Sequence, residues 1–76
     1  MPKLPQIKAR DLVKVVEKLG FAFRDQSGSH AVYTHPDGTR TTVSIHPKDT
    51  IGIGLLTKII KKDLQISRNE FIELLK

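Results

Sequence analysis

The 76-residue sequence contains no cysteine and no tryptophan, and its aromatic residues are one tyrosine and three phenylalanines. Without cysteine the chain can form no disulfide, thiolate nucleophile or Cys-ligated zinc site, and this composition suits a reducing compartment. No apolar run approaches the ~20 residues that span a bilayer, and the stretch MPKLPQIKARD lacks the apolar segment of a secretory signal. These absences predict a soluble cytoplasmic protein.

The length of the chain predicts the number of domains, and its net charge favours one class of partner. A chain this short is expected to form one domain, here residues 1–76, because it buries only ~60% of the surface that its unfolded form exposes. Thirteen Lys and Arg residues oppose eight Asp and Glu residues, which gives a formal charge of +5. That excess favours polyanionic partners such as nucleic acid, although a solvated lysine-rich surface has the same composition.

The first third of the chain predicts a helix followed by a strand. KARDLVKVVEKL, residues 8–19, repeats apolar residues at helical spacing, and Gly20 is a typical helix stop. FAFRDQ, residues 21–26, alternates Phe21 and Phe23 with smaller or polar residues, as in a half-buried strand. The apolar face of the helix consists of Leu12, Val13, Val16 and Leu19.

A hairpin is predicted in the middle of the chain. HAVYTH and RTTVSIH flank PDGT, and Asp37-Gly38 is a dipeptide that a two-residue type I′ turn prefers. That turn would pair Val32 with Val43 and His30 with Ile45. The core-facing side would then hold Val32, Thr34, Thr41, Val43 and Ile45, and the other side Ala31, Tyr33, His35, Arg40, Thr42 and Ser44.

Two helices are predicted at the C-terminal end. IGLLTKIIKKDL, residues 53–64, is amphipathic, and SRNEFIELLK begins with a capping-box pattern in which Glu70 follows Ser67 by three residues. The predicted order is therefore α-β-β-β-α-α. The apolar stripe of the first helix consists of Leu55, Leu56, Ile59, Ile60 and Leu64, with Lys58, Lys61 and Lys62 on its remaining surface, and the second presents Phe71, Leu74 and Leu75 inward.

The three histidines are the residues best suited to chemistry. His30 and His35 are five positions apart, so on a regular strand they point to opposite faces and cannot share a metal ion. Ser29 adjoins His30, so their side chains diverge, which disfavours a Ser-His nucleophile. His35 precedes Pro36 in the turn, where a structural role is expected. His46 ends a strand before Pro47, where a cap or a loop contact is favoured over catalysis.

His30 is the candidate catalytic residue. It follows Gly28 and Ser29 at the entrance of a strand, and the predicted register places it at the edge of the core-facing side. There its ring could be packed while one nitrogen reaches solvent. Histidine can accept a proton from a ribose 2′-hydroxyl or donate one to a leaving 5′-oxygen near neutral pH. The alternative is that His30 only forms a hydrogen bond with a neighbouring loop.

The chain contains five stretches in this order: LGF (19–21), GSH (28–30), PDG (36–38), TVSIHP (42–47) and IGLLTKIIKKDLQISRNEFIELL (53–75). Together they resemble the HicA (YcfA-like) toxin family, small mRNA interferases of bacterial and archaeal toxin–antitoxin pairs. The resemblance covers nearly the whole chain, and Gly-Ser-His at the head of the second strand is its most specific part. One departure is Ser44, because members often have proline two residues before the histidine that ends the third strand, a histidine present here as His46.

The resemblance implies an α+β fold like that of the double-stranded-RNA-binding domain. A three-stranded antiparallel sheet would carry helices on one face in the order α-β-β-β-α, with a short extra C-terminal helix. It also implies a toxin of a type II toxin–antitoxin system that cleaves mRNA. His30 would be the catalytic residue, Gly28 and Ser29 would shape its turn, His46 would be an accessory residue, and a HicB-type antitoxin would cover the active site.

The mechanism expected from that family needs no metal and no cofactor. His30 would assist attack of the 2′-hydroxyl on the adjacent phosphate of single-stranded mRNA and leave a 2′,3′-cyclic phosphate. The free toxin is expected to be a monomer. The residues expected to hold the RNA phosphates are Arg24, Arg40, Lys58, Lys61 and Lys62.

Two other functions remain open at the level of sequence. The first is a non-catalytic RNA-binding module with the same fold, in which basic residues hold the RNA backbone and His30 is structural. The second is a protein-interaction domain, which a failure to bind RNA at low salt would favour.

Overall fold

The computed structural model describes residues 4–76, which form an α+β fold. A three-stranded antiparallel sheet has the order β2-β3-β4, and a separate pair of two-residue strands, β1 and β5, was not predicted. The observed elements are β1 (Ile7–Lys8), α1 (Ala9–Lys18), β2 (Ala22–Ser27), β3 (His30–Thr34), β4 (Arg40–Ser44), β5 (Thr50–Ile51), α2 (Ile53–Lys58), which continues as a π-helical turn (Ile59–Leu64), and α3 (Arg68–Leu75).

The helices cover one face of the sheet, as predicted. On that face β3 contributes Ala31 and Tyr33 and β4 contributes Thr41 and Val43, all of them buried. Among residues 4–76, no helix is both long and apolar enough to cross a membrane. The fully buried side chains that α1, α2, the π-helical turn and α3 add to the core include Leu12, Val15, Val16, Leu56, Ile60 and Phe71.

The β3–β4 hairpin differs from the prediction because its loop has three residues instead of two. His35 N–H donates to the Thr39 carbonyl at 2.8 Å, and Gly38 N–H donates to the His35 carbonyl at 2.9 Å. Gly38 has a φ of 96°, which glycine adopts without the steric cost of a side chain. The loop therefore consists of Pro36, Asp37 and Gly38, closed by Thr39.

The longer loop shifts the register by one residue. Ala31 pairs with Val43, and Tyr33 pairs with Thr41. A one-residue shift exchanges the two faces of a strand. The predicted inward positions on β3, Val32 and Thr34, are therefore wrong, while Thr41 and Val43 on β4 are confirmed as core residues. His30 pairs with Ser44 instead of Ile45, and Ile45 is exposed.

Two other predicted inward side chains face solvent. Phe23 is 59% exposed because β2 is an edge strand, and Leu55 is 55% exposed because α2 packs through Leu56. Phe21, directly before β2, is buried as predicted. The exposure of these two side chains depends on the edge position of β2 and on the orientation of α2. Neither property can be predicted from the spacing of apolar residues alone.

The C-terminal helix begins where the sequence predicts. Ser67 Oγ accepts a hydrogen bond from Glu70 N–H at 3.1 Å, which satisfies a backbone donor at the start of α3. Lys18 Nζ, at the end of α1, donates to the Leu74 carbonyl at 2.7 Å. Phe71 is fully buried, and Leu74 and Leu75 pack against the core while partly exposed. These contacts fix α3 beside α1.

Candidate active site

The backbone of His30 is held on both sides. β3 is the central strand of the sheet, and His30 pairs with Ser27 on β2 and with Ser44 on β4. Gly28 and Ser29 connect β2 to β3, and Gly28 has a φ of 58°, which a side chain would disfavour. The Ser29 carbonyl accepts a hydrogen bond from Ile45 N–H at 3.0 Å. The start of β3 is therefore tied to both neighbouring strands.

The side chain of His30 is exposed. Alternation along β3 places it on the same face as Val32 and Thr34, the face opposite the helices. The expected position at the edge of the core-facing side is therefore wrong, and the one-residue register shift is the cause. An exposed ring on a fixed backbone remains accessible to a macromolecular substrate.

A hydrogen-bonded loop follows Ser44 at the same end of the sheet. Ser44 Oγ donates to Asp49 Oδ2 at 3.0 Å and accepts from His46 N–H at 3.2 Å. The Asp49 carbonyl accepts from Ala9 N–H at 2.8 Å, which joins the loop to the start of α1. His46 is exposed, and its carbonyl accepts from Asp49 N–H at 3.0 Å.

Asp49 is a residue that the sequence prediction missed. Its signal is the stretch SIHPKD, in which a serine and an aspartate flank a proline turn. The Ser44 hydroxyl forms two hydrogen bonds at this position. The backbone shape at this position is thus held by side-chain hydrogen bonds.

His35 lies at the other end of β3 and has a structural role. Its ring packs edge-on against Phe21, with ring centroids 5.2 Å apart. His35 Nδ1 lies 3.1 Å from both the backbone nitrogen and Oδ1 of Asp37, so it accepts from the former when neutral and donates to the latter when protonated. Hydrogen bonds from Thr39, and then the nearby His35, lower the pKa of Asp37.

The predicted RNA-binding cations fall into two groups. Arg24 and Arg40 line an open groove on the outer face of the sheet, the face of His30, together with Asp25, Val32 and Thr34. Lys58, Lys61 and Lys62 are exposed on the helical layer, across the sheet from the arginines. The structure thus places two of the five cations on the face that carries His30.

The three histidines do not form one cluster. His30 and His46 lie at the end of the sheet where β2 joins β3, whereas His35 lies in the opposite loop. Within the described chain, residues 4–76, no three His, Asp or Glu side chains are grouped as metal ligands.

Comparison with known families gives one match. A family model described as the HicA toxin of bacterial toxin–antitoxin systems matches residues 9–66. The matched segment runs from the start of α1 to the residue before the N-cap of α3, and it includes Gly28, Ser29, His30 and His46. No curated protein matches the chain. Because the family match covers well over half of the sequence, the chain belongs to the HicA toxin family.

Proposed function

We propose that the protein is an mRNA interferase, a metal-independent endoribonuclease toxin that uses His30 as its general acid or base. The observation that carries the proposal is the exposed imidazole of His30 on a backbone that is paired with both neighbouring strands. A general base has to reach the proton that it removes, and a fixed backbone limits the positions that its ring samples. The family match spans the Gly-Ser-His stretch, and the resemblance of the sequence to this family implies His30 as the catalytic residue.

The proposed reaction is a transesterification. The neutral imidazole of His30 accepts the proton of a ribose 2′-hydroxyl, and the 2′-oxygen attacks the adjacent phosphorus in line. The bond from phosphorus to the 5′-oxygen breaks, and that oxygen takes a proton from water. The products are a 2′,3′-cyclic phosphate and a 5′-hydroxyl end. A single histidine contributes ~10²- to 10⁴-fold to the rate of such a step.

The outer face of the sheet supplies the proposed RNA surface. Arg24 and Arg40 share this face with His30, and guanidinium groups can pair with two phosphate oxygens at once. They would hold single-stranded RNA by its backbone and stabilise negative charge that develops on the phosphate. His46, at the same end of the sheet as His30, is proposed as an accessory residue.

The antitoxin is proposed to be a HicB-type protein. The family implies an antitoxin partner, and the +5 charge of the chain suits an acidic one. An antitoxin that covers His30 would block substrate access without changing the fold of the toxin. We further propose that the free toxin is monomeric and acts in the cytoplasm.

A non-catalytic RNA-binding module is the second candidate function. The observation that favours it is the open groove with two arginines on the outer face, which could bind RNA without any reaction. In that case His30 would be one more polar residue on the binding surface.

Induced expression in bacterial cells tests the proposed function. Wild type should arrest growth and shorten mRNA half-lives, His30→Ala should do neither, and co-expression of the antitoxin encoded beside the toxin gene should restore growth. Asn69→Ala is the matched control, because Asn69 is exposed on α3, away from the sheet face that carries His30. Growth arrest by a soluble His30→Ala variant as strong as that by wild type would contradict the catalytic role of His30.

A further inference from the structure

The helices leave part of their own side of the sheet uncovered. An open groove runs between α1 and β2, and its apolar lining includes Val13, Phe23 and Ile45. Phe23 is 59% exposed and Ile45 is 37% exposed. Transfer of such side chains from water to an apolar contact is favourable, so an exposed apolar groove often marks an interface.

The aromatic part of this groove lies on two paired strands, next to a β-bulge between Phe23 and Asp25 in β2. Phe23 on β2 pairs with Tyr33 on β3, and their rings meet edge to face with centroids 6.0 Å apart. Tyr33 is buried, so it supports the phenyl ring from below. Large aromatic side chains on a rigid backbone are typical anchors of protein interfaces, because little conformational entropy is lost when a partner binds them.

The charges along the groove differ between its two ends. Arg10 and Lys14 lie one turn apart on α1, and in residues 4–76 neither is in salt-bridge distance of a carboxylate. Arg10 N–H donates to the Pro47 carbonyl at 3.2 Å, which places Arg10 at the end near Ile45. Glu17, the acidic residue of the lining, lies toward Tyr33. The end near Ile45 is therefore cationic.

The cationic end adjoins the backbone that holds His30. Ala31, Ser44 and Ile45 all contribute to the groove. Ala31 follows His30 in β3, and Ser44 pairs with His30 across the sheet. Ile45 N–H donates a hydrogen bond to the carbonyl of Ser29, the residue before His30. A partner in this groove would thus bind directly behind the exposed histidine, on the other face of the sheet.

We propose that this groove is the docking site for an apolar, acidic segment of the antitoxin. The apolar side chains of that segment would pack on Phe23, Val13 and Ile45, and its carboxylates would pair with Arg10 and Lys14. The identity of the partner rests on the proposed function, whereas the groove itself is separate from the face that carries His30. Most of the antitoxin's binding energy would then come from contacts that do not involve the catalytic residue.

RNA is a poorer occupant of the same groove. The lining is mainly apolar, and the groove lies on the face opposite His30, so RNA bound there would not reach the imidazole. The arginines of the outer face, by contrast, share their surface with His30. The groove is therefore assigned to the docking segment of the antitoxin and the outer face to RNA, and the remainder of the antitoxin would reach past the edge of the sheet to cover His30.

Binding measurements with the purified antitoxin encoded beside the toxin gene test this proposal. The toxin carries His30→Ala so that it can be produced safely, and isothermal titration calorimetry compares it with versions that also carry Phe23→Ala, Lys14→Glu or Asn69→Ala. Phe23→Ala should weaken binding at least about ten-fold, as for a central aromatic anchor. Lys14→Glu should also weaken it, and Asn69→Ala, on the exposed surface of α3, should stay within about two-fold of the parent, because a residue outside an interface contributes little to binding. Circular dichroism confirms the fold of each variant.

An unchanged antitoxin affinity in a folded Phe23→Ala variant would overturn the proposal. So would a loss of RNA affinity in that variant with antitoxin affinity retained, because the groove would then be an RNA surface. Failure of the antitoxin to bind the parent protein would contradict both the proposed partner and the groove.

An RNA-cleavage assay distinguishes a failure of the docking proposal from a failure of the proposed ribonuclease function. With His30 restored, Phe23→Ala should cleave RNA at the wild-type rate and arrest growth even when the antitoxin is present. If wild type cleaves no RNA while Phe23→Ala still weakens antitoxin binding, the docking site stands and the ribonuclease proposal fails.

Discussion

At the scale of single residues, Tyr33 reports on the packing between α1 and the sheet. Burial raises the pKa of its hydroxyl above the ordinary 10.0, and the negative charge of Glu17 raises it further. The chain has no other tyrosine and no tryptophan, so the ultraviolet absorbance of tyrosinate reports this group alone. We expect a titration midpoint above 10.0 in wild type. Glu17→Gln should lower the midpoint without restoring the ordinary pKa, because burial is the larger cause.

The direction of the pKa shift of Tyr33 also determines how the stability of the protein changes with pH. The folded state holds the phenol proton more tightly than the unfolded state, so stability falls as the pH rises above the ordinary value of 10.0. This fall should be shallower in Glu17→Gln. Equal midpoints for the two proteins would contradict the predicted influence of Glu17 on Tyr33.

The sequence identifies His30 as the candidate catalytic residue, but it does not predict which face of the sheet His30 lies on or which side chains surround it. The sequence predicts a histidine at the head of a strand after Gly28 and Ser29, and the structure has it there. The face on which His30 lies depends on the length of a loop that begins several residues later, at Pro36. Asp49 was missed because the stretch SIHPKD indicates only a turn, and the contact between Ser44 and Asp49 depends on how that turn folds.

At the scale of elements, the turn before β3 decides where His30 is held. Gly28 has a φ of 58°, and a Cβ atom there would meet no atom within 4 Å, so Gly28→Ala acts through backbone strain alone. A non-glycine residue in this conformation costs about 1 kcal/mol or more. We expect Gly28→Ala to reduce the free energy of unfolding by about that amount in urea denaturation, and to slow RNA cleavage because the start of β3 shifts.

Gly54→Ala is the matched control for the turn. Gly54 lies within α2 in a helical conformation, and an added Cβ would also meet nothing within 4 Å. Alanine is the better helix former, so this change should stabilise the protein by about 0.4–1 kcal/mol. Equal effects of the two substitutions would contradict the conformational role assigned to Gly28.

The longer elements were predictable because their patterns are local. α1 repeats its apolar residues over three turns, and α3 begins at the cap formed by Ser67. The β1–β5 pair was missed because two residues carry no periodicity. The π-helical turn after α2 was missed as well, since its apolar spacing fits an α-helix equally well.

At the scale of the whole molecule, the placement of charge predicts which face binds RNA. Arg24 and Arg40 share the outer face with His30, whereas Lys58, Lys61 and Lys62 lie across the sheet. Removal of a phosphate contact reduces the dependence of log affinity on log salt by ~0.7 for single-stranded RNA. Arg40→Ala should therefore reduce the salt slope by about that amount, and Lys62→Ala should leave it unchanged.

Filter binding of one single-stranded RNA over a series of salt concentrations measures these slopes. A reduced slope for Lys62→Ala with an unchanged slope for Arg40→Ala would place the RNA on the helical layer. That result would contradict the assignment of the outer face to RNA.

The fold as a whole was predictable and the faces of its strands were not. The α+β class and the three-stranded antiparallel sheet follow from local patterns and from the family resemblance, and the structure confirms both. The strand register and the position of the helices on one face of the sheet determine two further properties. These are the separation of the cations onto two faces and the exposure of Phe23 beside α1. Those properties depend on contacts between distant segments, which single-sequence periodicity does not contain.

Cleavage of a single-stranded RNA in the presence of EDTA, by wild type and by a folded His30→Ala variant, tests the central claim most directly. We predict that wild type cuts the RNA and leaves 2′,3′-cyclic phosphate ends, and that His30→Ala is at least ~100-fold slower while it still binds the RNA. Equal cleavage by the two proteins, or RNA binding by both without cleavage by either, would contradict the account.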